Sequence, residues 1–478
     1  MDMTQGPIFK NLAKLTLPLA LASILQLLFN AADLIVIGWF SATPSISQTA
    51  VSSNTSLIHL IVNLAIGFSV GSNVVMSHCI GAKNVERAHK AVHTSIMLAL
   101  ISGVILMAVG FFGARFFLEL MSSPAEVIDK ADLYLKIYFI GLPGTIVYNF
   151  AAAILRSKGD SRRPTIYLAI GGVVNVVLNL ILVLCGLDVV GVAVATAVSQ
   201  YLSAALTVIA LTREPDYCKL EIKKIRIHKD ELLSIIRVGL PSGLLSCCFS
   251  LANVFIQSSI NLLAVYYPGG EGLTMVNASS VASNVEGFIF TAIGTVSTAT
   301  VSFAGQNYGA GNYARIKRVC LCGIGLMVTL CLTYGLVFFA FAEFFASLYN
   351  PDPVLIEYAA LRVRTVTILY PVQGSAEILV ACLRGMNRTT PPMFVSLFCI
   401  CVFRIIWVNT IFPAYKTLIS LLLCYPASYL LNFTITLIMF LVCYKLMLKK
   451  AKSPPPASED NENTAPTEHN ENTSPTEE

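Results

Sequence analysis

Charge is scarce in this 478-residue chain: Asp, Glu, Lys and Arg make up 12% of it, against 55% hydrophobic residues. An ordinary soluble domain carries about a quarter charged residues, so a soluble globular protein is excluded. Period-two alternation is missing as well, because apolar runs such as CLTYGLVFFAFAEFFASLY are unbroken, and this excludes a transmembrane β-barrel built from short alternating segments. The 13 cysteines include no CxxC pair and keep no metal spacing with the 6 histidines, so they read as small core residues and no metal is expected. No phosphate-cradling loop of the GxxxxGK[ST] type is present, which removes ATP as an energy source. A cleavable signal is also lacking, since the first apolar stretch runs past Phe29 with no small-residue cleavage pattern and reads as a first span.

What remains is helix-forming apolar sequence. A hydrocarbon core about 30 Å thick takes about 20 residues per helix. Punctuation by Pro, Gly and charge predicts twelve spans near 12–40, 48–75, 89–121, 131–156, 164–186, 190–212, 231–264, 276–304, 314–346, 358–383, 391–413 and 418–448. Basic residues recur in every second connection: Lys83, Arg87 and Lys90, then Lys158, Arg162 and Arg163, then the basic stretch from Arg213 to Lys229, then Arg315, Lys317 and Arg318, then Arg384 and Arg388. The alternate connections at 41–47, 187–189 and 265–275 hold no Lys or Arg. By the positive-inside rule both termini face the cytoplasm, and the positive charge reports topology and not a nucleic-acid surface. From residue 451 the composition turns acidic, with NENTAPTE at 461–468 nearly repeated as NENTSPTE at 470–477. A segment with so little apolar surface is expected to be a disordered tail.

The two halves share their punctuation. Leu17-Pro18 recurs as Leu240-Pro241, and at the same offset Asn30 meets Asn253. GAKNVER at 81–87 meets GAGNYAR at 309–315, and at that offset Pro143 meets Pro371, Leu155-Arg156 meets Leu383-Arg384, and Tyr201 meets Tyr429. Each half holds an even number of spans, so the repeats are parallel and related by an axis along the membrane normal. The expected fold is all-α, with twelve transmembrane helices in two six-helix bundles facing a central cleft. The divisions fall at 1–212 for the first lobe, 213–230 for a basic cytoplasmic linker, 231–450 for the second lobe and 451–478 for the acidic tail.

Several stretches carry a family resemblance. GPIFKNLAKLTLPLALASILQLLFNAADLIVIGWF from Gly6, GVAVATAVSQ from Gly191, GQNYGAGNYAR from Gly305 and ACLRGMNRTTPP from Ala381 together resemble the multidrug and toxic compound extrusion (MATE) transporters of bacterial type. The resemblance covers about residues 6–448. It implies a V-shaped pair of bundles in the inner membrane that exports organic, cationic or amphipathic compounds in exchange for a proton or sodium ion.

Ionisable groups inside a span are costly and point to function. Asp33 lies roughly 30 Å along the first span at about 1.5 Å per residue, with no cationic neighbour in sequence. A carboxyl that is neutral in one state and charged in another can couple cation entry to helix movement. Asn175 and Asn179 are four apart and share a helical face; as bare amides they equally serve to glue helices. The resemblance joins Asp33, Asn175, Asn179 and Thr196 into one cation site, with Asn179 standing where the family usually has Asp. In the second half, Glu377 and Arg404 fall at about 12 and 18 Å depth by helical rise and are expected to pair. Glu286 has no evident partner and is expected to meet a cationic substrate or second ion. Tyr148, Phe150 and Met275 are candidates for a cleft that binds flat cations.

The expected function is cation-coupled antiport by a monomer in the lipid bilayer, without cofactor and without nucleic acid. One rival is a flippase for a lipid-linked precursor, which needs a strongly cationic cleft. The other is a membrane-embedded enzyme, against which stands the lack of any nucleophile paired with His and Asp.

Overall fold

The structure, a computed structural model, describes residues 1–41, 44–120, 127–267 and 270–452, and these contain helix and no strand. In chain order the helices are α1 (Ile8–Phe40), α2 (Pro44–Gly81), α3 (Val85–Leu120), α4 (Ile128–Ser157), α5 (Arg162–Leu182), α6 (Asp188–Thr212) and α7 (Lys229–Asn261). They continue as α8 (Leu263–Tyr266), α9 (Glu271–Gly309), α10 (Tyr313–Ala340), α11 (Ala342–Ser347), α12 (Pro353–Thr367), α13 (Tyr370–Gly385), α14 (Thr390–Ser396), α15 (Phe403–Tyr415), α16 (Leu418–Leu422) and α17 (Cys424–Lys452). The expected tail beyond residue 452 lies outside the described residues.

Ten helical stretches are long and apolar enough to cross a bilayer, and an eleventh appears if α12 and α13, bent by 44° at their break, form one span. The expectation of twelve differs at one place. Arg162–Thr212 runs as a single 51-residue stretch, where the sequence predicts separate spans at 164–186 and 190–212. The stretch is broken at its middle: a π-helical turn at Val183–Leu187 contains Gly186 at φ 86°, and Asp188 follows at φ 48°. These left-handed residues cannot continue a right-handed helix, and α5 folds back along α6 so that Asn175 and Thr196 touch.

The cores follow the halves of the chain. One buried cluster gathers residues from Val36 to Ile235, including Leu135, Phe139, Phe150 and Leu155. A second joins Ile293, Phe303, Ile378 and Leu383. Met3, Ile8, Leu12, Leu15 and Leu19 also belong to the second cluster, so the start of α1 packs into the other half of the molecule.

Polar and glycine contacts stitch the halves together toward the end that carries the N-terminus. A Cβ on Gly71 would sit 2.3 Å from the carbonyl oxygen of Ile235, so only glycine lets α2 and α7 approach this closely. Farther along, the Ser302 hydroxyl donates to Asn73 Oδ1 at 3.0 Å, His78 Nε2 lies 2.6 Å from the Gly385 carbonyl, and Arg87 pairs with Glu231 at 2.9 Å. Gln306 is central. Its Nε2 donates to the Ser157 carbonyl at 2.6 Å, while its Oε1 accepts from the Met3 N–H at 3.0 Å. Asn307 donates to the Met3 carbonyl and Arg315 to the Gly6 carbonyl, at 3.1 and 2.6 Å, so the segment before α1 is held against α9 and α10.

Several amides are exposed on the long helices. Gln26 and Asn30 on α1, Asn253 on α7, and Asn277 and Asn284 on α9 are all exposed within apolar spans. Lipid offers an amide side chain no hydrogen-bond partner. Asn30 and Asn253 occupy the same position in the two halves.

Candidate functional site

The first-half cluster is assembled by close helix approach. On α5, Gly172 packs so tightly on Phe29 of α1 that any Cβ would overlap the ring. This brings Asn179, about two turns beyond Gly172, to Asp33 on α1. Asn179 Nδ2 donates to Asp33 Oδ1 and reaches Asn175 Oδ1 at 3.3 Å, and Asn175 Nδ2 donates to Thr196 Oγ1 of α6 at 3.2 Å. All four residues named from the sequence therefore form one continuous chain of side chains across α1, α5 and α6. Asp33 is 9% exposed and Asn179 fully buried. Tyr134 and Tyr138 of α4, stacked at 6.3 Å, stand near the carboxyl.

Oxygen dominates this cluster. The carboxylate of Asp33, the amide oxygens of Asn175 and Asn179 and the hydroxyl of Thr196 are the oxygen ligands that hard cations prefer. Asn179 Oδ1 is buried without a partner among the described residues. Such an orphan acceptor costs about 1–3 kcal/mol and is a place for a proton-bearing group or a cation. No group of three or more His, Cys, Asp or Glu suited to a metal occurs among the described residues.

The second half corrects two expectations. Glu286 is not free: it forms a two-point ion pair with Arg362 of α12, Nε to Oε1 at 3.0 Å and Nη2 to Oε2 at 3.2 Å, and Arg362 also donates to Ser279. Sequence reasoning missed Arg362 because it sits near the end of the expected span 358–383, where an arginine reads as an interfacial charge. Nor do Glu377 and Arg404 pair. Arg404 donates from Nε to Ser428 Oγ at 3.1 Å and lies over the rings of Tyr425 and Tyr429, 4.4 and 5.5 Å from their centroids. Depths of about 12 and 18 Å along two helices say nothing about azimuth. The π-helical turn at Leu397–Val402, just ahead of Arg404, rotates the side chains after it, and they meet α17. Glu377 on α13 is half-buried, and the charge that acts on it is that of Arg384.

A third correction concerns the cleft. Tyr148, Phe150 and Met275 are buried at 8, 0 and 5% exposure and pack within the bundles, so they are not cleft-lining groups. Aromatic character alone does not separate a core ring from a wall.

Comparison with known proteins fits this geometry. The profile of the MatE family matches residues 18–181 and 250–410. The probable multidrug resistance protein YoeA of Bacillus subtilis is 25% identical over 402 residues, covering 82% of this chain and 84% of its own. The probable multidrug resistance protein NorM of Thermotoga maritima is 26% identical, covering 81% and 82%. A protein named FAD transporter from Shewanella oneidensis is 22% identical, covering 83% and 86%. In fold, the chain is similar to an outward-facing multidrug resistance MATE family transporter of the MOP superfamily, with a TM-score of 0.84 at 23% identity over 94% of this chain and 98% of that one. It is similar also to a MOP superfamily transporter from Pyrococcus furiosus described as having a binding pocket of reverse polarity, with a TM-score of 0.84 at 22% identity and coverage of 93% and 98%. These relatives are transporters and not enzymes, and with the family profile spanning more than half of its length, this multi-pass membrane protein belongs to the MATE family.

Proposed function

We propose that the protein is a secondary active exporter of amphipathic organic compounds, driven by a proton or sodium ion that binds at Asp33. The observation that carries this reading is the side-chain chain Asp33–Asn179–Asn175–Thr196, which ties α1 to α5 and α6 through the only carboxylate of the cluster. Entry of a cation changes what Asp33 offers to Asn179. Because that bond joins two helices, the change bears on how they pack.

In this reading the two repeated halves are rocking lobes, 1–212 and 231–450, joined by the linker 213–230, and the doubled-back stretch 162–212 counts as two spans to give twelve. Both termini are cytoplasmic in the inner membrane, the protein acts as a monomer, and no cofactor takes part. The end stitched by Gln306, Asn73 and His78 is then the closed cytoplasmic gate, and the exposed amides line a cleft open on the other side. Substrate leaves on that side as the cation enters, and alternating access returns the empty carrier. A lipid-linked flippase fits less well, since of the mid-span cations Arg362 is neutralised by Glu286 and Arg404 stands alone.

Transport of a fluorescent organic compound into everted vesicles, with proton and sodium gradients imposed separately, tests the proposal. Accumulation driven by one of the gradients is expected. Accumulation that needs neither gradient overturns cation coupling.

A further inference from the structure

Two cavities lie on one seam between the halves, and an unpaired arginine stands between them. The first, of 340 Å³, opens where α3 and α7 begin, with Arg87 and Lys90 on one side and His228, Lys229, Asp230 and Glu231 on the other. The second, of 220 Å³, is apolar. Leu64 and Phe68 of α2, Ile105 and Leu106 of α3, and Leu240 of α7 line it, with Ser102 as its polar residue. Ile105 and Leu240 are 55% and 48% exposed, so the groove opens outward. The halves are stitched together at this end, and an apolar surface exposed there faces lipid.

From Lys90 to Ser102 along α3 is about 18 Å, and from Glu231 to Leu240 along α7 about 14 Å, at about 1.5 Å per residue. One leaflet, half of a bilayer about 40–45 Å thick with its headgroups, is about 20–22 Å deep. The polar cavity and the apolar groove are thus spaced as the headgroup and the chains of one lipid.

Leu233, Arg237, Leu240 and Leu244 recur at helical spacing and form one exposed stripe of α7. Arg237 lies about 9 Å past Glu231 and about one turn short of Leu240. It makes no ion pair and no side-chain hydrogen bond among the described residues, and neither does the exposed Lys229. A guanidinium on an apolar helix face calls for an anion within reach of its long stem. The acids of the polar cavity do not supply it, since Glu231 is paired with Arg87 and Glu86 with Lys90. Only Asp230 is left against Lys229, Arg237 and the linker's Arg226, whose Nε reaches His228 Nε2 at 3.3 Å. The balance is positive, and a phosphodiester accepts the forked N–H groups of an arginine.

We infer that the seam between α3 and α7 is a binding site for an anionic phospholipid, with its headgroup on Lys229 and Arg237 against the polar cavity and an acyl chain in the groove between Ile105 and Leu240. The leaflet is the one that meets the first residues of α3 and α7. The lipid is a bound partner and not cargo, so the inference does not rest on the exporter reading.

Native mass spectrometry of the full-length protein, released from detergent micelles into which phosphatidylglycerol or phosphatidylcholine of identical chains is titrated, tests the inference. The wild type should hold phosphatidylglycerol at a concentration at least about fivefold lower than phosphatidylcholine. Joint replacement by Lys229→Gln and Arg237→Gln should bring phosphatidylglycerol to the level of phosphatidylcholine, while Arg237→Lys keeps most of the difference. Ser102→Phe, which fills the groove and changes no charge, should lower retention of both lipids. Equal retention of the two lipids by the wild type overturns the inference, as does an undiminished preference in the double replacement. Displacement of phosphatidylglycerol by an excess of glycerol 3-phosphate also overturns it, because a free phosphate would then suffice. Should the double replacement not fold, the comparison of the two lipids and the glycerol 3-phosphate competition on the wild type decide the matter.

Discussion

Glu286 and Arg362 face each other through two hydrogen bonds across α9 and α12, with both side chains largely buried. The pair turns an acid expected to meet substrate into a structural tie. Removing one member of a buried pair leaves an uncompensated charge, which costs about 3–5 kcal/mol, while removing both is often near neutral. Arg362→Gln should therefore lower the unfolding temperature of the detergent-solubilised protein sharply, and adding Glu286→Gln should recover most of the loss. A double variant showing only the sum of the single effects would sink the pairing.

Gln306 bonds both Ser157 of the first half and Met3 ahead of α1. Gln306→Met keeps the length and apolar bulk but leaves a buried carbonyl and a buried N–H unpaired, at about 1–3 kcal/mol each. The penalty falls on the stitched arrangement of the halves and not on either half alone. Spin labels at the exposed positions Lys83 and Arg388 should report a longer or broader distance in Gln306→Met than in wild type, with little change in overall stability. An unchanged distance distribution would show that the bond does not hold the gate.

Topology rests on the basic connections alone. Lys223→Cys, in the exposed turn Ile222–Lys224, should resist a membrane-impermeant thiol reagent in intact cells and react in everted vesicles. Reaction from outside would invert the assignment of both termini.

Much of this molecule was legible in its sequence because the bilayer simplifies the reading. Span length is a one-dimensional signal, and the four-residue spacing of Asn175 and Asn179 fixes a shared face regardless of tertiary detail. The Asp33 cluster followed from that spacing together with the family resemblance. What escaped was azimuth between helices. Arg404 and Glu377 lie at depths that an arginine side chain can bridge, yet a π-helical turn and the 44° bend between α12 and α13 set which way each points. Arg362 escaped because a charge near a span end looks solvated until its partner is placed. The buried positions of Tyr148 and Phe150 likewise depend on which helix covers which.

Asp33→Asn isolates the coupling step. The substitution keeps the size of the side chain and an oxygen for Asn179 Nδ2 to donate to, so the link between α1 and α5 should survive. It removes the charge and the exchangeable proton, which no other group in the Asp33–Asn179–Asn175–Thr196 chain supplies. The variant should therefore reach the membrane at normal abundance, unfold within a few degrees of the wild type and still bind substrate, yet fail to accumulate substrate in everted vesicles under an imposed gradient. Adding Asn179→Asp returns a carboxylate within reach of Asn175 and Thr196 and should restore part of the gradient-driven uptake. Uptake by Asp33→Asn at the wild-type rate would remove this carboxyl from the mechanism and leave Glu377, the half-buried acid of α13, as the next group to test.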